Sequence, residues 1–317
     1  MGLYCFGIDV GGTTVKCGLF TTDGTLVEHW EIPTRVESDG ASILPDIAQT
    51  IQAKIDELGL EKDNIDGVGI GIPGPVNEKG EVPVAVNLHW GFKAVASELS
   101  ALTGLKAMAG NDANVAALGE AWKGAAAGAK NILMVTLGTG VGGGVIIGGR
   151  ILHGTHGAAG EIGHANVKHD ETIPCNCGNH GCLEQYASAT GMVRLAKEAL
   201  DAAPEEESLL RVPYKAGTLE AKDLLDAYKE EDPLAIRVME HVGDILGGAI
   251  ASFSCVMDPE AIVIGGGVSK AGKPLVDCIT KYYRQYAFSP SKPTPIVLAE
   301  LGNSAGIYGA ARMVISD

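Results

Sequence analysis

The sequence predicts an α/β protein built from two related halves, and three observations carry that prediction. The chain has 317 residues, room for two domains of about 100 to 200 residues each. Short apolar runs of strand type alternate with amphipathic runs of helical period, the grammar of α/β units around a mixed sheet. Finally, a strand, a glycine turn and a second strand occur near the start and again from residue 132, with Gly11 falling on Gly138 when the copies are overlaid.

Taken in order, LYCFGIDV (3–10) reads as a strand, Gly11 and Gly12 as a turn, and VKCGLF as its return. The Asp23-Gly24 turn then leads into a third strand, TLVEHW. Helical period covers 43–58, 93–102 and 113–122, with the buried-type strand IDGVGIGIP (65–73) among them. The second copy runs ILMVTLGTG, VGGGVIIGG and RILHG. Helices are expected over 191–203, 219–229 and 234–252, and strands at AIVIGGG (261–267) and PIVLAE (295–300). The stretch 202–217, with Pro204, Glu205, Glu206, Glu207 and Pro213, reads as a solvated loop between helices. The join is placed near Asn111: a smaller α/β domain over 1–111, completed by a C-terminal helix at about 303–317, and a larger one over 112–302.

Charge narrows the function classes. Lys and Arg number 24 against 39 Asp and Glu, a net charge of −15. Such a field repels phosphate polymers and anionic lipid, so nucleic acid and membrane surfaces are excluded as expected partners. The N-terminus MGLYCFGIDV has no basic flank and meets Asp9 at once, unlike a signal peptide, and Phe6 breaks the myristoylation pattern. The longest uncharged stretch, 131–149, holds seven glycines and would make a poor spanning helix. A cytoplasmic location is expected. Three of the seven cysteines crowd into 175–182, which in a reducing compartment reads as metal binding sooner than as a disulfide framework.

Asp9-Val-Gly11-Gly12-Thr13-Thr14-Val-Lys16 puts a carboxylate at a strand end, then glycines that expose amides, then hydroxyls and a lysine. Amides and hydroxyls suit phosphate oxygens, and Asp9 suits hydrated magnesium, although a plain hairpin turn would look similar. Gly138-Thr139-Gly140 opens a second such loop, and Gly265-Gly266-Gly267 is a third glycine run after an apolar strand. The G-x-G-x-x-G spacing at Gly138, Gly140 and Gly143 is followed by strands where a dinucleotide fold needs a helix. The near-match to a phosphate loop at 267–273 fails at Pro274. Asn111-Asp112 heads an amphipathic run, so either residue could be an N-cap, and Asp112 could instead accept a proton from an attacking hydroxyl.

The most specific pattern is Gly160-Glu161-Ile-Gly-His164 followed by Cys175-Asn-Cys177-Gly-Asn-His-Gly-Cys182-Leu-Glu184. One imidazole and three thiols make the closed tetrahedral set of structural zinc. A redox thiol cluster is the competing reading, and His156, His169 and His180 stand near enough to be rival fourth ligands. Glu161 and His164 also have the spacing of a di-iron helix motif, but only one copy is present.

In this order, DVGGTTVK, NDAN, GTGVGGG, GEIGH and CNCGNHGCLE resemble the ROK family of sugar kinases and repressors over essentially the whole chain. The resemblance implies a two-domain actin-like, ribonuclease H-like sugar-kinase fold with an interdomain cleft and a zinc-bound loop. It further implies ATP and Mg2+ as donor and cofactor, a hexose as substrate, and a homodimer or homotetramer. Asp112 would then be the base for the sugar 6-hydroxyl, with Asn111, Glu161, His164 and Glu184 on other hydroxyls and a backbone contact from Gly74. Asp9, Gly11, Gly12, Thr13 and Lys16, with Gly138, Thr139 and Gly140, would hold phosphate and metal, and Gly265 to Gly267 would approach the adenosine. His164, Cys175, Cys177 and Cys182 would hold the zinc. IPGPV (72–76) and NLHW (87–90) point to glucose among the hexoses, ahead of N-acetylmannosamine, N-acetylglucosamine, fructose or allose. ROK repressors carry an N-terminal winged helix-turn-helix; here the first phosphate-loop strand begins by residue 3, which favours a kinase over a sugar-sensing regulator.

Overall fold

The computed structural model describes residues 2–315. Strands β1 (Tyr4–Val10), β2 (Thr14–Thr21) and β3 (Leu26–Pro33) form an antiparallel meander whose register sets Asp9 opposite Lys16. The single turn α1 (Glu37–Gly40), α2 (Ile43–Leu58), β4 (Ile65–Ile72), α3 (Val95–Thr103), β5 (Ala107–Asn111) and α4 (Asp112–Lys123) come next. Strands β4 and β5 join parallel to β1, giving the order β3-β2-β1-β4-β5. Helix α2 forms where expected because Ile43, Leu44, Ile47, Ile51 and Ile55 make one apolar stripe, buried against Phe6 and Ile8 of β1 and Ile70 of β4.

The chain then makes β6 (Ile132–Leu137), β7 (Val141–Ile147), β8 (Arg150–Ile151), α5 (Glu184–Ala187), α6 (Ala189–Ala202), α7 (Arg211–Ala216), α8 (Ala221–Lys229) and α9 (Pro233–Met257). After these stand β9 (Ala261–Gly265), α10 (Lys273–Tyr286), β10 (Ile296–Leu298) and α11 (Ala305–Val314). The second sheet has the order β10-β9-β6-β7-β8. In each sheet the strand and return strand of the glycine turn lie side by side, so the repeat seen in the sequence is also a repeat of structure. Among the described residues no helix is long and apolar enough to cross a membrane, and the uncharged stretch 131–149 forms β6 and β7 instead.

Two compact units result: Met1–Ile132 with Gly144–Gly160 and Glu300–Asp317, and Leu133–Gly143 with Glu161–Ala299. The first unit thus runs past Asn111, because α4 packs on α11 within it. Glycines permit that packing: a Cβ on Gly309 would lie 1.7 Å from the Val115 carbonyl oxygen, and one on Gly69 of β4 the same distance from that of Ala310. Several of the chain's 44 glycines therefore mark close approach of α11 to its neighbours.

Besides the single turns α1 and α5, two longer helices lie where the sequence suggested none. Helix α7 falls inside the expected loop 202–217, held by the Arg211 guanidinium donating to the carbonyls of Leu200 (3.0 Å) and Glu206 (2.9 Å) and by burial of Leu210. Helix α10 starts at the near-match to a phosphate loop; Gly272 is its N-cap and Pro274 sits in the first turn, where a missing N–H costs nothing.

Candidate functional site

In the first unit, Asp9 lies near the end of β1 and is largely buried. Its carboxyl is pushed above the usual range by burial, with Lys16 pulling the other way from 3.8 Å. Lys16 Nζ also donates to the Asn303 carbonyl at 3.1 Å, just ahead of α11. The first turn of α11 presses on Asp9, since a Cβ on Gly306 would lie 2.5 Å from the carboxylate carbon. The turn Gly11–Thr13 is braced by Gly11 N–H to the Thr14 carbonyl (2.9 Å) and by the Thr34 hydroxyl to the Gly11 carbonyl (2.7 Å). Gly12 has open space where a side chain would be, and neither Gly11 nor Gly12 has a positive φ. Gly12 therefore leaves room at the backbone, whereas a Cβ on Gly11 would lie 2.9 Å from the Thr14 carbonyl oxygen, so the close turn itself requires Gly11.

Asn111 is the N-cap of α4: its Oδ1 accepts from Ala113 N–H (3.1 Å) and Asn114 N–H (3.2 Å). Its Nδ2 donates to the Gly74 carbonyl and to Asp112 Oδ1, both at 3.0 Å. The capping choice left open by the sequence thus falls on Asn111, and Asp112 stands in the first helical position. Asp112 Oδ1 also accepts from Ala113 N–H at 2.8 Å, so two donors hold that carboxylate oxygen. Asn114 is buried and accepts from Val145 N–H at 3.2 Å, tying α4 to β7; the sequence signal for it was a second Asn three residues after the cap.

In the second unit, Gly138–Gly140 turns between β6 and β7 with Gly138 N–H donating to the Gly140 carbonyl (3.0 Å). The loop is anchored to the start of α6 by Ala189 N–H to the Gly138 carbonyl (2.8 Å) and by the Thr190 hydroxyl to the Thr139 carbonyl (3.0 Å). A cavity of about 1040 Å³ opens beside it, lined by Gly138, Thr139, Thr190, Arg194, Gly267 and Lys270 among others. Two glycine runs singled out in the sequence therefore meet at one cavity of nucleotide size. Gly267 reaches it, whereas Gly265 is buried in β9 and Gly266, at φ +84°, packs on the Leu137 backbone. Thr190 and Arg194 were not foreseen, because a helix start and a half-buried helical arginine carry no sequence mark of their own.

Four ligand atoms, from His164, Cys175, Cys177 and Cys182, lie within 4.8 Å of one another. Cys177 Sγ and Cys182 Sγ are 3.6 Å apart, and His164 Nδ1 is 4.0 Å from Cys175 Sγ. Tetrahedral zinc with its usual bond lengths separates two sulfurs by about 3.7 Å, so the set fits that ion. Among the described residues His156, His169 and His180 are not part of the group. Burial pushes the Cys175 thiol up to about 12, while the Asn179 N–H holds Cys177 down. Cys182 N–H donates to Gln185 Oε1 (3.0 Å) and Gln185 Nε2 to the Ile173 carbonyl (2.9 Å), closing the loop around the cluster.

The neighbouring acids are arranged about the same imidazole. His164 Nδ1 faces the cluster, and Nε2 lies 3.9 Å from Glu161 Oε2. Glu184 Oε1 accepts from the Cys175 thiol at 3.0 Å, while a Cβ on Gly140 would lie 2.7 Å from its Oε2. One carboxylate thus touches both the thiol cluster and the glycine loop of β6 and β7.

The family model described as "ROK family" matches residues 5–317. The chain is 44% identical to the glucokinase of Halalkalibacterium halodurans over 97% of this chain and 94% of that one. It is 35% identical to the glucokinase of Streptomyces coelicolor over 98% and 97% of the two chains. It is also similar to the crystal structure of a ROK family glucokinase from Streptomyces griseus in complex with glucose and AMPPNP, at TM-score 0.73 and 33% identity over 98% of each chain.

Proposed function

This chain belongs to the ROK family, and from that membership we propose that it transfers the γ-phosphoryl group of ATP to the 6-hydroxyl of glucose. The observation that carries this reading is the Asp112 carboxylate, placed at the head of α4 and held by Asn111. A carboxylate so fixed is suited to take the proton of an attacking hydroxyl. Phosphoryl transfer passes through a loose transition state, so positioning and charge neutralisation supply most of the acceleration.

The amides of Gly11 to Thr13 and Lys16 are assigned to phosphate in the first unit, as are Gly138 to Gly140 in the second. The 1040 Å³ cavity beside Gly267 takes the adenosine. Asp9 would hold hydrated Mg2+, which neutralises phosphate charge when bound. Gly74, Asn111, Glu161, His164 and Glu184 are assigned to sugar hydroxyls. Neutral polyols need several such groups, since a missing hydroxyl then leaves a buried partner unpaired. The Cys3His cluster would hold a structural zinc, whose role is to fix the loop carrying His164. A cytoplasmic location goes with this activity.

A coupled ADP-release assay with ATP and Mg2+ over a panel of hexoses and N-acetylhexosamines tests it. Glucose is expected to give the highest kcat/KM; a higher value for N-acetylmannosamine, or no ADP with any sugar, would overturn it.

A further inference from the structure

A second cavity, of about 460 Å³, lies wholly within the first unit. Among the described residues four cations line it, Lys79, Lys106, Arg150 and Arg312, against one carboxylate, Glu78. In a chain of net charge −15 that is a local reversal of sign. Lys79, Lys106 and Arg150 are exposed, and among the described residues none of the three is in an ion pair. Buried Ala109 and Leu118 add apolar wall to the same cavity.

The backbone that presents these cations is fixed. The Lys106 carbonyl accepts from Val68 N–H at 2.8 Å. Lys79 precedes Gly80, which holds φ +70° and donates to the Asn77 carbonyl at 2.9 Å. The turn before Arg150 is pinned by Gly149 N–H to the Lys130 carbonyl (2.8 Å) and Gly148 N–H to Asn131 Oδ1 (2.9 Å). Exposed cations around a formed, partly apolar cavity suit a compact dianion with an uncharged body. None of the glycine loops assigned above to ATP lines it.

We propose that this cavity is a second anion site, taking a small phosphomonoester such as a three-carbon or hexose phosphate. Its phosphate would pair with Lys106 and Arg150, and its carbon body would lie on the apolar wall. A phosphomonoester is favoured over a carboxylate because three terminal oxygens match several separate cation arms, arginine in particular gripping phosphate through paired N–H groups.

The test is calorimetric titration of the full chain, saturated with AMP-PNP so that the nucleotide loops are filled, using glucose 6-phosphate, glycerol 3-phosphate, inorganic phosphate and citrate as probes. One of the two phosphomonoesters is expected to bind saturably, once per chain. The double variant Lys106→Ala, Arg150→Ala should weaken that binding by about ten-fold or more, and Lys106→Arg should largely retain it. AMP-PNP affinity should be unchanged in both, which separates this site from the nucleotide site. If the double variant fails to fold, Lys106→Ala alone supplies the same comparison with a smaller loss. No saturable binding, equal binding by the double variant, or citrate binding as tightly as the phosphomonoesters would overturn the proposal.

Discussion

Asn111 Nδ2 donates to Asp112 Oδ1 at 3.0 Å while Asn111 Oδ1 caps the helix that Asp112 begins. One side chain thus both starts the helix and orients the proposed base. The two roles separate on substitution. Asn111→Asp keeps an acceptor for the cap but puts a second carboxylate beside Asp112; it should leave stability within about 1 kcal/mol of wild type and lower kcat by roughly 100-fold through misorientation. Denaturant unfolding and steady-state kinetics on one preparation check both. A variant with normal kcat would show that Asn111 acts only as a cap.

Removing the metal should act on sugar and fold together. Purified protein should carry about one zinc per chain. Chelation, or Cys175→Ala, is expected to lower Tm by several degrees, because binding energy for such a metal is also folding energy for its loop. It should raise KM for glucose more than KM for ATP, since His164 and Glu184 belong to the cluster's surroundings whereas the adenosine cavity does not include them. Metal analysis, calorimetry and kinetics decide it, and full glucose phosphorylation by a zinc-free preparation would rule it out.

Asp9 sets function against stability. Burial raises its folded pKa above the ordinary 3.8. Between 3.8 and that raised value the native state holds more protons than the unfolded chain, so stability falls as pH rises through the window and the loss persists above it. Asp9→Asn should therefore be at least as stable as wild type at pH 7, with a steeper loss of stability toward acid because Asp9 no longer offsets it, yet lose most of its activity through loss of the magnesium-side carboxylate. Urea unfolding across the acid range measures the first effect and ADP release the second; a strongly destabilised Asp9→Asn would refute the burial argument.

Glu171 lies ahead of Cys175 on the same loop and accepts from Thr172 N–H (2.9 Å) and Ile173 N–H (3.0 Å). The buried Tyr186 hydroxyl donates to it and holds its carboxyl down at about 2, from an ordinary 4.5. A depressed acid contributes stability above 4.5 that disappears as pH falls toward about 2. Glu171 is only half-buried, so solvent screens much of the effect on global stability. The loop should respond more: Tyr186→Phe keeps the ring and leaves Glu171 held only by the Thr172 and Ile173 N–H groups, and zinc affinity is expected to fall by about ten-fold. Competition with a chelating dye reads this out, and an unchanged affinity would mean that the Tyr186 bond is only surface order.

Sequence and structure agree where a residue's role is local. Helix α2 was legible to its ends because its isoleucines repeat on one stripe, and the Cys3His set was legible because thiol spacing is short-range. Helix α10 was not, since its glycine-lysine-proline start reads as a loop and its helical character comes from the amphipathic run 275–286. Longer-range dependence hid the rest. Glu120, fully buried, accepts from the backbone N–H groups of Ala125 (2.9 Å), Glu300 (3.1 Å) and Leu301 (2.9 Å), which fixes the approach to α11 and thereby Asn303 opposite Lys16. Nothing in a lone glutamate of an amphipathic helix announces partners 180 residues away. Glu184 was assigned to the sugar alone; its contacts with Cys175 and Gly140 depend on two turns brought together by the fold.

Everything proposed for the chemistry turns on Asp112 as the proton acceptor, and Asp112→Asn isolates that role. Single-turnover phosphorylation of glucose, with glucose affinity measured calorimetrically on the same variant, separates chemistry from binding. Turnover should drop by about 100-fold or more, as for loss of a general base, with glucose still bound near wild-type affinity. Near wild-type turnover with intact binding would refute the assignment and return Asp112 to the role of a first-turn helix residue.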